Sequence, residues 1–147
     1  MEELRQVVNE GQKDRDSISF VIFSDTTDKM YALAIMVKSA VIMGRKVRVF
    51  VTFWALNNFK KDQKEAVILD SNHSEYETFM DGRLKEMGIN SYKTFLEESY
   101  ELGAKFYACK MASDLFGYKK EDYVELIDSI VTAGEFIDKS EGRIIFI

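Results

Sequence analysis

Residues 18–52 read ISFVIF, SDTTD, KMYALAIMVKSAVIMG, RKVRVFVT, and the changes of character along this stretch decide the fold. The first block is apolar but for Ser19 and rich in β-branched and aromatic side chains. Such a run suits a strand covered on both faces, as in a parallel sheet. Ser24, Asp25, Thr26, Thr27 and Asp28 then form a polar turn offering several helix N-caps. Residues 29–43 hold no helix breaker, and Gly44 is placed to end the helix. Residues 46–52 read as a second strand. Strand, polar turn, helix, glycine, strand is a βαβ unit. Met30, Met36 and Met43 fall within the helix and are expected to pack.

The second half repeats the unit. Residues 92–102 read as a helix burying Tyr92, Phe95, Leu96 and Leu102, with Gly103 at its end. Residues 105–109 (KFYAC) form a short strand and 110–116 a helix before Gly117. A fourth strand is expected within 124–132, a short helix at 133–140 and a fifth strand at 143–147. Residues 57–90 are less legible: 75–87 read as a helix, and Asp70, Ser71, Asn72 and His73 as a loop. Residues 2–8 suit a short leading helix and 11–17 an exposed polar connection, so that 1–17 extends a single domain spanning 1–147. The expected architecture is a three-layer α/β/α domain with a five-stranded, mainly parallel sheet.

Composition narrows the function. The 147 residues carry 46% hydrophobic and 31% charged side chains, a globular balance. The net charge of −5 argues against nucleic acid, whose binding needs a basic face. A single cysteine excludes an intramolecular disulfide scaffold. Residues 1–17 are charged throughout and lack the apolar core of a signal peptide. The longest apolar run, 31–37, is too short to span a bilayer. A cytoplasmic location is the default expectation.

In parallel sheets, chemistry gathers at the carboxyl ends of the strands. Three segments are expected to meet there: the turn with Asp25 and Thr26, then Phe53 and Trp54, then Cys109. Cys109 closes a strand and immediately precedes a helix. Backbone N–H groups of that helix, and the neighbouring Lys110, set a positive field suited to a thiolate. The plainer reading is that a lone cysteine packs in the core. With one sulfur, a dithiol cycle is ruled out, whereas a persulfide or a mixed disulfide with another protein is not. His73, the only histidine, is a candidate accessory base or ligand, or simply a solvated loop residue. Asp25 and Thr26 line a pocket or cap a helix. Phe53 and Trp54 wall a pocket or belong to the core. No spacing of metal ligands is evident, so no metal is expected.

Absences exclude several activities. The turn after the first strand has no glycine, so neither GxGxxG nor a Walker A loop cradles phosphate there. Its two carboxylates also disfavour a flavin phosphate. Cys109 stands where a phospho-accepting receiver domain needs an aspartate, and no GxSxG elbow exists for a hydrolase.

The order of elements, Gly44, and the stretch Val49-Phe50-Val51-Thr52-Phe53-Trp54-Ala55-Leu56 resemble the DsrE/DsrF-like sulfur-transfer family, in particular its subgroup with a TFWGL-type stretch. Glu101-Leu102-Gly103-Ala104-Lys105-Phe106-Tyr107-Ala108-Cys109, followed by Met111, Asp114, Leu115 and Gly117, is similar to that subgroup's cysteine region. Val131-Thr132-Ala133-Gly134 is similar to its usual end. The resemblance covers residues 17–147. It implies strand order 4-3-2-1-5, homo-oligomers formed through flanking helices, and no organic cofactor. It also implies sulfur relay through Cys109 between partners such as TusA-like carriers. Two departures stand out: Ala55 replaces the usual glycine, and residues 60–87 are charged, lack proline and carry His73.

Three readings follow. The first is a sulfur carrier or sulfurtransferase with Cys109 as nucleophile and persulfide site, Asp25, Thr26, Phe53, Trp54 and Lys110 nearby, and a carrier protein or small sulfur compound as partner. The second is a non-catalytic oligomeric binding or scaffold module in which Cys109 is buried core. The third is a small-ligand or metal site using Cys109 with His73.

Overall fold

Ser17–Ile22 forms strand β1, and Phe20 and Ile22 within it are wholly buried because helices cover the sheet on both sides. The computed structural model describes residues 2–4 and 16–147. The remaining strands are β2 (Lys46–Val51), β3 (Lys105–Cys109), β4 (Ile127–Val131) and β5 (Arg143–Phe146). They align in the order β4-β3-β2-β1-β5, with every strand pairing parallel. In register, Phe20 lies beside Val49 and Val49 beside Phe106, a row that forms the middle of one sheet face.

The helices are α1 (Thr27–Ile42), α2 (Glu77–Glu86), α3 (Tyr92–Glu101), α4 (Lys110–Phe116) and α5 (Ala133–Lys139). Helix α1 buries Met30, Leu33, Ala34, Val37 and Ala40, the spacing of one helical face, and packs along α3. From β1 to β4 the chain steps across the sheet in one direction, so right-handed crossovers place α1 and α3 together. The return from β4 to β5 runs the other way and places α5 on the opposite face. There Phe136 stacks on Phe50 with ring centroids 4.9 Å apart.

A glycine of left-handed backbone follows each of the helices α1 to α4. Gly44, with φ of +82°, follows α1, and Gly117, with φ of +74°, follows α4. Both conformations favour a residue without a Cβ. Between β2 and α2 the chain forms two 3₁₀ segments, Phe53–Phe59 and Ser74–Tyr76. The second overlaps the first two residues of the helix expected over 75–87, and α2 takes up most of the remainder.

Three local expectations need correction, and a fourth falls largely outside the described residues. Ser17 is buried in β1 opposite Lys46 instead of belonging to an exposed connection. Residues 2–4 are helical, while the remainder of the expected leading helix and connection, residues 5–15, lies outside the described residues. Of the methionine set only Met30 packs; Met36 and Met43 are exposed. At about 100° per residue, Met36 and Met43 share a stripe turned roughly 120° from Met30. Leu102 is exposed because it is the C-cap of α3, past the last buried turn.

Candidate functional site

Cys109 is the last residue of β3, opposite Val131 of β4, and the N-cap residue of α4. Its backbone is still extended, with φ of −65° and ψ of 124°, so the chain turns from strand to helix directly at the sulfur-bearing residue. The side chain is free of any disulfide and 7% exposed. It therefore sits at the rim of the core, beneath the carboxyl edge of the sheet.

An aromatic group flanks this rim. Trp54 stacks on Phe116 of α4 at 5.5 Å, and Phe53 meets the same ring edge-on at 6.5 Å. Phe116 continues to Tyr118 at 5.5 Å, and Tyr118 to Tyr123 at 6.2 Å. Trp54 remains 54% exposed, so the wall presents an apolar surface to solvent as well as a contact to α4. Phe53 adopts φ of +47°, the only positive φ among the described non-glycine residues. For an aromatic residue this conformation costs on the order of 1–2 kcal/mol.

Tyr123 was not anticipated from the sequence. It is almost wholly buried, and its hydroxyl lies 2.6 Å from the buried Ser113 hydroxyl of α4. Burial is the main reason its proton is held above the ordinary tyrosine range, and the Ser113 hydrogen bond opposes this. Tyr123 thus ties the segment before β4 to α4, the helix that Cys109 opens. The only trace in the sequence is one aromatic in the polar run KKEDY. Its partner lies ten positions earlier, a separation no local periodicity reveals.

The other candidates are placed as follows. Lys110 reaches Asp114 at 2.9 Å, one turn along its own helix. The Asp25 carbonyl accepts a hydrogen bond from the Asn58 side chain at 2.9 Å, which ties the turn after β1 to the 3₁₀ segment after β2. Thr26 is the N-cap residue of α1, but its hydroxyl makes no capping hydrogen bond and its Oγ1 is buried without a partner. Thr27 takes over: its Oγ1 accepts from the Ile68 N–H at 2.8 Å, and its own N–H donates to the Ile68 carbonyl at 2.7 Å. His73 is exposed on the loop before α2, with Nδ1 2.8 Å from Asp70. That hydrogen bond holds the Asp70 carboxyl below its usual range. No hydrogen bond joins His73 to Cys109. The structure thus gathers Phe53, Trp54 and Tyr123 against α4, whose N-cap residue is Cys109, and puts His73 in a separate pair.

Among the described residues no group of three or more His, Cys, Asp or Glu side chains is arranged to hold a metal ion. No helix among them is long and apolar enough to cross a membrane. What the rim can do chemically rests on one thiol, nearby aromatic rings and the amides opening α4.

Comparison with known proteins agrees with the fold. A family model described as the DsrE/DsrF/DrsH-like family matches residues 14–88 and again 71–145. The uncharacterised protein YrkE of Bacillus subtilis strain 168 is 24% identical, over 86% of this chain and 92% of its own length. Two solved structures share the fold. The protein of unknown function MTH1491 of Methanobacterium thermoautotrophicum has a TM-score of 0.62 at 16% identity, over 89% of this chain and 98% of its own. The ychN protein of E. coli has a TM-score of 0.61 at 15% identity, over 90% of this chain and 99% of its own.

Proposed function

We propose, from the premise that this chain belongs to the DsrE/DsrF/DrsH-like family, that it carries or transfers sulfane sulfur through Cys109. The observation that carries this reading is the position of the only thiol. It closes β3 at the carboxyl edge of the sheet, 7% exposed, where α4 begins, and an exposed tryptophan from the segment after β2 stacks on Phe116 at the far end of that helix. The reaction needs no oxidant. The Cys109 thiolate attacks the outer sulfur of a donor persulfide, forming one S–S bond as the donor's S–S bond breaks and its thiolate leaves. An acceptor thiolate then removes the outer sulfur in the same way and restores Cys109. With tetrathionate the same attack leaves a thiosulfonate adduct and expels thiosulfate. A sulfur-carrier protein of the TusA-like kind, or a small sulfur compound, is the partner this chemistry asks for. The test is sulfur loading of the wild type and of Cys109→Ala, read by intact mass. Loading on the wild type alone supports the proposal, and equal loading of both removes it.

The burial of Cys109 favours one competing reading, a non-catalytic module in which the thiol packs. That reading requires slow alkylation until the chain unfolds. Either reading is compatible with self-association. Ile35, Met36, Ile42 and Met43 are exposed on α1, as are Ile144 and Phe146 on the edge strand β5. A second copy of the chain would cover such apolar surface. Sedimentation tests this: the account expects an oligomer that Ile42→Glu with Met43→Glu weakens, and a monomeric wild type would refute it.

A further inference from the structure

A cavity of about 300 Å³ opens between α1, α2, the start of α3 and residues 65–67, and Cys109 is not among its lining residues. Its size is at the low end for a small-molecule site. Two of its walls are the rings of Tyr31 and Tyr92, set nearly perpendicular at 5.7 Å. Leu84 and Ile89 supply apolar surface, and Glu65 and Asp81 supply carboxylates. Bonds between distant parts of the chain pin these walls. The Tyr31 hydroxyl donates to the Asn90 carbonyl at 2.9 Å, and Thr27 holds Ile68 from both its hydroxyl and its backbone. The shape is therefore formed in advance of any ligand.

The charges decide what fits. Lys85 also lines the cavity, but it is 2.9 Å from Asp81 and paired with it. Among the described residues no cation stands within ion-pair distance of Glu65. Burial is the main reason the Tyr92 hydroxyl is pushed up to about 12, and the negative charge of Glu65 adds to it, opposed by a hydrogen bond from Gln63. Tyr31 is raised by the same two causes, burial first and then Glu65. Both phenols thus stay neutral beside a carboxylate that lacks a counter-charge. An anionic ligand would meet Glu65 and Asp81 with only a committed lysine in its favour. A cation finds the reverse: a carboxylate with no ion pair among the described residues, two tyrosines in the lining, and the side chains of Leu84 and Ile89 for an alkyl body.

We infer that this cavity binds a small organic ammonium ion, its head between Tyr31, Tyr92 and Glu65 and its hydrocarbon part against Leu84 and Ile89. The site stands apart from the sulfur chemistry and does not depend on it. The test is titration of the full chain with choline and with n-butylammonium, followed by aromatic NMR shifts and calorimetry. The neutral choline isostere 3,3-dimethyl-1-butanol is the control. At least one ammonium ion should give saturable shifts of the Tyr31 and Tyr92 signals, with the neutral isostere silent at the same concentration. Glu65→Gln, in an exposed segment and checked for an unchanged melting curve, should weaken binding about tenfold. Silence from both ammonium ions, equal binding of the neutral alcohol, or unchanged affinity in Glu65→Gln would each overturn the inference.

Discussion

Replacing Tyr123 by Phe removes one oxygen from the buried contact between α4 and the segment before β4, and its cost follows from the partner left behind. Ser113 is fully buried, and its hydroxyl lies 2.6 Å from that of Tyr123. In Tyr123→Phe the ring still packs against Tyr118, while the Ser113 hydroxyl loses this partner in a site without solvent. Leaving such a group unpaired costs about 1–3 kcal/mol, whereas removing both partners together is nearly neutral. Urea unfolding should therefore place Tyr123→Phe about 1–3 kcal/mol below wild type, a fall in Tm of roughly 3–10 °C for a chain of this size. The double variant Ser113→Ala with Tyr123→Phe should recover part of the loss, because the orphaned hydroxyl is gone. The hydrogen bond also fixes α4 to the segment before β4, so alkylation of Cys109 should quicken in Tyr123→Phe. A neutral Tyr123→Phe, or a double variant no more stable than the single one, would refute the reasoning.

Other consequences follow from particular contacts. Trp54→Ala should cost about 0.5–1.5 kcal/mol of stability through its lost stack on Phe116, and should weaken transfer from a carrier protein more than from a small persulfide. Gly117→Ala forces a Cβ into left-handed backbone at φ of +74° and should lower stability by about 1 kcal/mol, measured by denaturant unfolding. Asp70, lowered by its hydrogen bond to His73, contributes stability that is present above its ordinary carboxylate range and is lost as pH falls through its lower folded value. A carboxyl NMR titration should show that midpoint return to the ordinary range in His73→Ala. Tyr92 acts at the other end of the scale: unfolded tyrosine ionises near pH 10, while the folded group keeps its proton to about 12. Stability should thus decline above roughly pH 10, as the unfolded chain releases protons that the folded one retains.

The sheet was legible chiefly from its mostly apolar runs bounded by a polar turn or a glycine, as in 18–23 before the SDTTD turn and 105–109 after Gly103. Burial on both faces erases alternation, and it was the runs themselves, with their β-branched and aromatic content, that revealed the strands. Strand order did not follow from those runs; it came with the family resemblance. Phe53, Trp54 and Cys109 were marked by their places at strand ends, where sheet geometry gathers side chains. Residues 57–73 resisted reading because long-range bonds hold them, such as Asn58 to the Asp25 carbonyl and Ile68 to Thr27. Thr26 holds the N-cap position that the sequence offered, without a capping bond from its side chain, while Thr27, one residue on, supplies the hydroxyl that the returning chain uses. Tyr123 was hidden by its polar neighbours, since its burial is decided by Ser113 and Tyr118 in three dimensions.

Intact mass of the native protein after incubation with polysulfide or tetrathionate, wild type beside Cys109→Ala, separates a sulfur-carrying thiol from a packed one. A sulfur-carrying Cys109 adds the mass of sulfur or of a thiosulfonate group to the wild type alone, reversed by reductant. No adduct on the native wild type, with Cys109 reacting only after denaturation, would contradict it and leave the thiol a packing residue within the shared fold.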